Sequence, residues 1–167
     1  MSGTHRFDIV IIGSGFGGAA AAHVLQDTGA SILILERGDF LPQEKQNWDI
    51  AEVSVKRRYD AEETWFDERG RPFSPRIYYN VGGCSKVFGG VALRFRAEDF
   101  LSREHCGGRT AGWPISYEEL RPYYDRAERL LQVHGLKERD PTEPDRGDFP
   151  CPPIPHEPVI AELAERW

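Results

Sequence analysis

The chain has 167 residues, enough for one ordinary domain with its own hydrophobic core and too few for two large ones. It is 40% hydrophobic and 29% charged, and 21 basic against 27 acidic side chains leave a net charge of −6, which argues against broad binding to nucleic-acid phosphates. Apolar runs such as Ile9–Ile12 fall far short of the roughly 20 residues that cross a bilayer, and no charged-then-apolar leader pattern opens the chain.

Asp8-Ile9-Val10-Ile11-Ile12 is a short β-branched run, expected to form a parallel strand buried on both faces. Gly13-Ser14-Gly15-Phe16-Gly17-Gly18 follows, with the spacing Gly13-x-Gly15-x-x-Gly18. Residues 19–25 then predict a helix, residues 31–35 a second buried strand, and Glu36 closes it. This is the whole dinucleotide-binding fingerprint in order. The glycines allow a tight turn, close approach of main chain to a pyrophosphate and close helix–sheet packing, while the free N–H groups at the helix start attract the anion. Glu36 is placed to accept hydrogen bonds from a ribose diol. An acidic residue there disfavours the 2′-phosphate of NADP, which leaves FAD or NAD. The expected fold class is α/β, a Rossmann-like FAD/NAD(P)-binding fold with a parallel sheet, and the βαβ unit 7–36 supplies only its N-terminal portion.

Residues 39–76 show no clear period and are expected to be irregular; Lys56-Arg57-Arg58 within them reads as a solvated face. Residues 77–100 carry two glycine pairs, Gly82-Gly83 and Gly89-Gly90, and the alternation from Val91 to Arg96 predicts a short strand. Ser116 and Glu119 have the spacing of a capping box. Pro122 should interrupt the helix that begins there or start another, and Tyr123, Ala127, Leu130 and Leu131 mark its packed face up to a stop at Gly135.

Seven of the 12 prolines fall between Pro141 and Pro158, predicting an extended connector rather than a packed element, before a helix start at residues 159–164. Cys84, Cys106 and Cys151 are odd in number and include no CxxC pair, so neither a disulfide framework nor a metal site is expected, and a reducing, cytoplasmic setting fits. Cys84 reads as a small buried hydrophobe, His105-Cys106 as a loop pair, and Tyr78-Tyr79 and Tyr123-Tyr124 as packing aromatics. His23, His134 and His156 form no visible dyad.

Beyond the first fingerprint, the Glu36-Arg37-Gly38 strand end, the Gly82-Gly83-x-Ser85-x-x-x-Gly89 segment and Gly112-Trp113-Pro114-Ile115-Ser116-Tyr117 resemble the glucose–methanol–choline (GMC) family of FAD-dependent oxidoreductases. The resemblance runs from about residue 7 to about residue 160 and is nearest to bacterial sugar-oxidising and pyranose-oxidase-like branches. It implies that Gly13, Ser14, Gly15, Phe16, Gly17, Gly18, Glu36 and Arg37 hold the ADP half of FAD. It also implies that Gly82, Gly83, Ser85, Val87, Phe88, Gly89 and Gly90 run beside the flavin ring. Where some family members attach flavin through a histidine, this chain has Val87, so non-covalent FAD is expected.

The implied organisation is residues 1–100 as the N-terminal part of the FAD-binding domain, with the flavin-side segment at 80–96. Residues 101–140 follow as a helical segment, and 141–167 as a proline-rich connector with the start of a truncated next element. The implied activity is oxidation of a small alcohol or sugar by hydride transfer to flavin. The family's acid–base residues come from a C-terminal portion that no position here matches, so no catalytic residue is assigned. A non-catalytic nucleotide-binding fragment, or part of a NAD-dependent dehydrogenase, is the alternative.

Overall fold

The computed structural model describes residues 5–137 and 139–166. Strand β1, Ile9–Ile12, is four consecutive β-branched residues, whose stiff side chains favour extended backbone. Helix α1, Phe16–Leu25, draws its propensity from Ala19 to Ala22 and ends in a 3₁₀ turn, Gln26–Thr28, closed by left-handed Gly29. The chain returns as β2, Ile32–Leu35, which pairs in parallel with β1 in the register Ile9 to Ile32 and Ile12 to Leu35. Asp8 and Ser31 clasp the open end of this pair. The Asp8 carboxylate accepts from the Ser31 N–H at 2.8 Å and the Ser31 hydroxyl at 2.6 Å, which lowers the Asp8 pKa.

The βαβ unit is thus present, but its strands are not buried on both faces. Val10 is 52% and Ile12 87% exposed, because within this unit a two-stranded sheet with one helix covers only one side. The expected core is correspondingly small. Among the described residues only Phe100 and Tyr117 are buried apolar side chains.

Residues 39–76 are less irregular than their composition suggests. They hold a 3₁₀ turn at Lys45–Trp48, a π turn at Ala51–Val55 and a short antiparallel ribbon of β3, Trp65–Phe66, with β4, Pro72–Phe73. Lys56 pairs with Glu52, and Arg58 donates to Glu44 at 2.8 Å, so this basic triplet is an exposed, salt-bridged surface. A parallel bridge between Asp39 and Asn80 returns the chain to the end of β2.

The chain divides into two compact units between Gly89 and Gly90. In the second, residues 91–96 are not a strand, because no neighbouring strand offers them a ladder. Strands β5, Arg103–His105, and β6, Gly108–Thr110, form a hairpin whose turn is Cys106-Gly107, and His105 Nε2 lies 2.9 Å from Thr110 Oγ1.

Helix α2, Tyr117–Leu131, opens on the expected capping box: Ser116 Oγ accepts the Glu119 N–H, and Glu119 accepts the Ser116 N–H at 2.8 Å. It runs through Pro122 without interruption. One backbone bond is forfeited near the N-terminus, while Tyr117 and Glu128 anchor the helix on either side. It ends at Leu131, with Gln132 left-handed, rather than at Gly135, which instead lies under the Phe149 ring.

The face that α2 buries is not the expected one. Tyr123, Leu130 and Leu131 are exposed, whereas Tyr117 and Glu128 are buried. The cause is an ion network. Arg94 donates from Nε and Nη2 to the two Glu128 oxygens at 2.8 and 2.6 Å, and Arg146 donates to Glu128 at 2.7 Å and to Glu143 at 2.9 Å. Hydrogen bonds from Arg94 to Glu128 and Asp125 hold its guanidinium firmly protonated. The proline-rich segment is also partly packed: Arg146 is buried against the Phe149 ring, and Cys151 bridges to His134. Helix α3, Pro158–Glu165, covers the expected helix start at 159–164 and begins one residue earlier, on a proline that suits the first helical turn.

Candidate nucleotide-binding site

Leu35 carries the site's acidic residue to the end of β2, and its carbonyl accepts the Gly13 N–H at 2.7 Å, so the first glycine turn and Glu36 leave the sheet side by side. Gly13 takes φ +91, turning the chain out of β1 into α1. Gly18 shows why a side chain is excluded there: a Cβ would stand 2.0 Å from the Gly13 carbonyl oxygen. Gly15 is the N-cap of α1; no side chain caps it and no acidic residue occupies the first turn, so the N-terminal N–H groups and the positive end of the helix are left for an anion. Space is open beside this turn, since a Cβ at Gly13 or Gly17 would meet nothing within 4 Å.

Glu36 is held by three donors at normal distance. Its Oε2 accepts the Ser14 N–H at 2.9 Å and the Ser14 hydroxyl at 2.5 Å, and its Oε1 accepts the Arg37 N–H at 2.7 Å. These bonds, the Ser14 hydroxyl first, pull the Glu36 pKa down to about 2, so the carboxylate is ionised throughout the neutral range. The Ser14 oxygen in turn accepts the Gly82 N–H at 2.8 Å, across 68 positions of sequence. The two glycine segments therefore meet at one hydroxyl.

Gly82, at φ +91, opens a 3₁₀ turn over Gly83–Lys86, and its carbonyl accepts the Ser85 hydroxyl at 2.6 Å. Val87 follows as the residue that closes the turn, its N–H bonded to the Cys84 carbonyl at 3.2 Å. Phe88 packs edge-on against Phe16 of α1, ring centres 5.1 Å apart, a second link between the segments. Gly89 meets no neighbour that a Cβ would touch, and Gly90, at φ +75, begins the second unit. Cys84 is exposed rather than buried, because the turn directs it outward while Ser85 faces the Gly82 carbonyl.

The Arg37 side chain, unlike its N–H, does not join Glu36. Its guanidinium lies over the Tyr79 ring, 3.8 Å from the centroid, and pairs with Glu63, which also accepts the Tyr79 hydroxyl and, at 3.3 Å, the Trp65 indole N–H. Glu63 and Tyr79 are the members of this neighbourhood that sequence spacing leaves unmarked. No motif links position 63 to position 37, and Tyr79 reads as a packing aromatic.

An uncapped helix start, an open glycine turn and an ionised carboxylate at the adjoining strand end fit the diphosphate and ribose of a dinucleotide. Among the described residues no group of three or more His, Cys, Asp or Glu is arranged to hold a metal, and no helix is long and apolar enough to cross a membrane.

Residues 11–42 match the family described as NAD(P)-binding Rossmann-like domain. Among curated proteins, the chain is 34% identical over 153 residues to 2-methyl-1,2-propanediol dehydrogenase of Mycolicibacterium austroafricanum, covering 83% of this chain and 26% of the relative. It is 36% identical over 147 residues to paromamine 6′-oxidase of Streptomyces fradiae, with the same two coverages. It is 34% identical over 158 residues to an oxygen-dependent choline dehydrogenase of Rhizobium etli, covering 87% and 27%. The chain thus spans about a quarter of the length of these relatives. Among solved structures, pyridoxine 4-oxidase from Mesorbium loti superposes with a TM-score of 0.54 at 22% identity, covering 96% of this chain and 31% of that one, which establishes a shared fold.

Proposed function

We propose that this chain, which belongs to the GMC family of FAD-dependent oxidoreductases and corresponds to its N-terminal region, binds FAD non-covalently and orients it for oxidation of a small alcohol or sugar. The observation that carries the reading is the Ser14 hydroxyl, which joins Glu36 on one side to Gly82 on the other. It puts a ribose acceptor and the main chain of the second glycine segment at one junction, as a ligand with an adenosine end and a flavin end requires.

In this proposal the N–H groups at the start of α1 bind the diphosphate, and Glu36 accepts from the ribose. Gly82, Gly83 and Ser85 present main chain and a hydroxyl along the flavin, with Val87, Phe88, Gly89 and Gly90 continuing that wall. Val87 offers no nucleophile, which supports a non-covalent cofactor. When bound, FAD supplies the acceptor for the hydride leaving a CH–OH carbon. This chain's part is to bind and orient. The acid–base residues and substrate wall belong, in this reading, to polypeptide outside these 167 residues, and the exposed Val10 and Ile12 side of β1–β2 suits further packing by it. Three unpaired cysteines suit a reducing, cytoplasmic compartment.

Parallel titrations with FAD and NADH, followed by flavin fluorescence quenching and by NADH fluorescence, test the reading. Saturable FAD binding with little response to NADH is expected. Binding of NADH in preference to FAD, or of neither at millimolar concentration, would overturn it.

A further inference from the structure

The acceptor capacity of Glu36 is nearly exhausted by the protein itself. An ionised carboxylate offers about four lone-pair sites. Oε2 takes the Ser14 N–H and the Ser14 hydroxyl, and Oε1 takes the Arg37 N–H, with the Gly38 N–H behind it at 3.5 Å. A ribose diol brings two further donors, so the long Gly38 contact and one of the three close protein donors have to yield. The other donors are main-chain N–H groups fixed by the turn and the strand end. The Ser14 hydroxyl alone can swing away by rotating one side-chain bond. Its direction in the free protein is set by Gly82, whose N–H can only donate and so leaves the hydroxyl proton to Glu36.

We infer that Ser14 is a positioning residue that hands Glu36 over to the ribose. When a nucleotide binds, its O–H leaves Oε2 and turns to an oxygen of the anionic diphosphate, while its oxygen keeps the Gly82 N–H. One charge-assisted hydrogen bond replaces another, so the exchange is nearly balanced, and the second glycine segment stays tied to the first in both states. The inference rests on the reading of Gly13–Gly18 and Glu36 as a nucleotide site.

Calorimetric titration of the full chain with ADP and with 2′,3′-dideoxy-ADP, which keeps the diphosphate and lacks the diol, tests it. Ser14→Ala removes the donor to the diphosphate and frees a lone pair on Glu36. Because the bond lost to the diphosphate is matched by a bond to Glu36 that no longer has to break, both ADP and 2′,3′-dideoxy-ADP should keep their wild-type affinities within about twofold. The ratio of ADP affinity to dideoxy-ADP affinity, which reports the bonds from the diol to Glu36, should stay at the wild-type value. Ser14→Thr, which keeps a hydroxyl, should hold the wild-type ratio, and in the wild type the Gly82 amide resonance should move on addition of ADP. A hydroxyl that merely stiffens the loop predicts equal weakening of both ligands in Ser14→Ala. Loss of more than about twofold in affinity for either ligand in Ser14→Ala, a changed ratio, or an unmoved Gly82 resonance would each overturn the handover. Wild-type protein that binds neither nucleotide at millimolar concentration defeats the nucleotide-site reading first, and the handover with it.

Discussion

Gly38 passes so close to Tyr79 that a Cβ on it would lie 1.7 Å from the Tyr79 carbonyl oxygen. The contact is backbone against backbone and sits beside the Asp39–Asn80 bridge, where the end of β2 meets the approach to the second glycine segment. Neither side can yield by rotating a side chain. Gly38→Ala should therefore destabilise the first unit by about 1–3 kcal/mol, the usual range for overpacking. Gly147→Ala, where a Cβ meets nothing within 4 Å, should be close to neutral. Urea denaturation of the two variants checks the contrast; equal midpoints would contradict the close approach.

The Glu36 carboxylate makes stability depend on acid in a defined direction. Its folded pKa, about 2, lies below the ordinary value of 4.5, so its contribution is complete above the ordinary value and is lost as pH falls toward 2. The difference in stability between wild type and Glu36→Gln should be flat from pH 7 to about pH 5 and shrink steadily below it. Denaturant titrations across pH 2–7 provide the measurement. A difference that grows on acidification would reverse the assigned sign.

Glu128 is a buried anion shared by two buried cations, Arg94 and Arg146, each with 2% of its side chain exposed. Glu128→Ala leaves both guanidinium groups without their main partner, and removal of one member of such a network costs about 3–5 kcal/mol. Glu118→Ala, at a residue with an exposed side chain on the same helix, should change stability by less than about 1 kcal/mol. Equal effects in chemical denaturation would show that the Glu128 network is energetically idle.

The first fingerprint was legible because its chemistry is local: Gly13, Gly15 and Gly18 each meet a backbone demand set within a few residues, and Glu36 follows from where β2 ends. The two glycine segments could each be recognised, but not the hydroxyl that joins them, since nothing in a spacing rule links Ser14 to a main-chain N–H 68 positions away. The buried face of α2 departs from its apolar pattern for a different reason. A rule that buries apolar residues favours Tyr123, Leu130 and Leu131, whereas Arg94 and Arg146 draw Glu128 inward. Pro122 does not break the helix because Tyr117 and Glu128 anchor it on both sides. The Val91–Arg96 alternation had the pattern of a strand without a neighbour to pair with.

Calorimetric titration of ADP into the 167-residue chain and into its Glu36→Ala variant shows whether Glu36 and the α1 turn form a nucleotide site. Saturable one-to-one binding to the wild type is expected, weakened roughly tenfold in the variant by the loss of hydrogen bonds to a charged acceptor. Equal ADP affinity for the two proteins would contradict it.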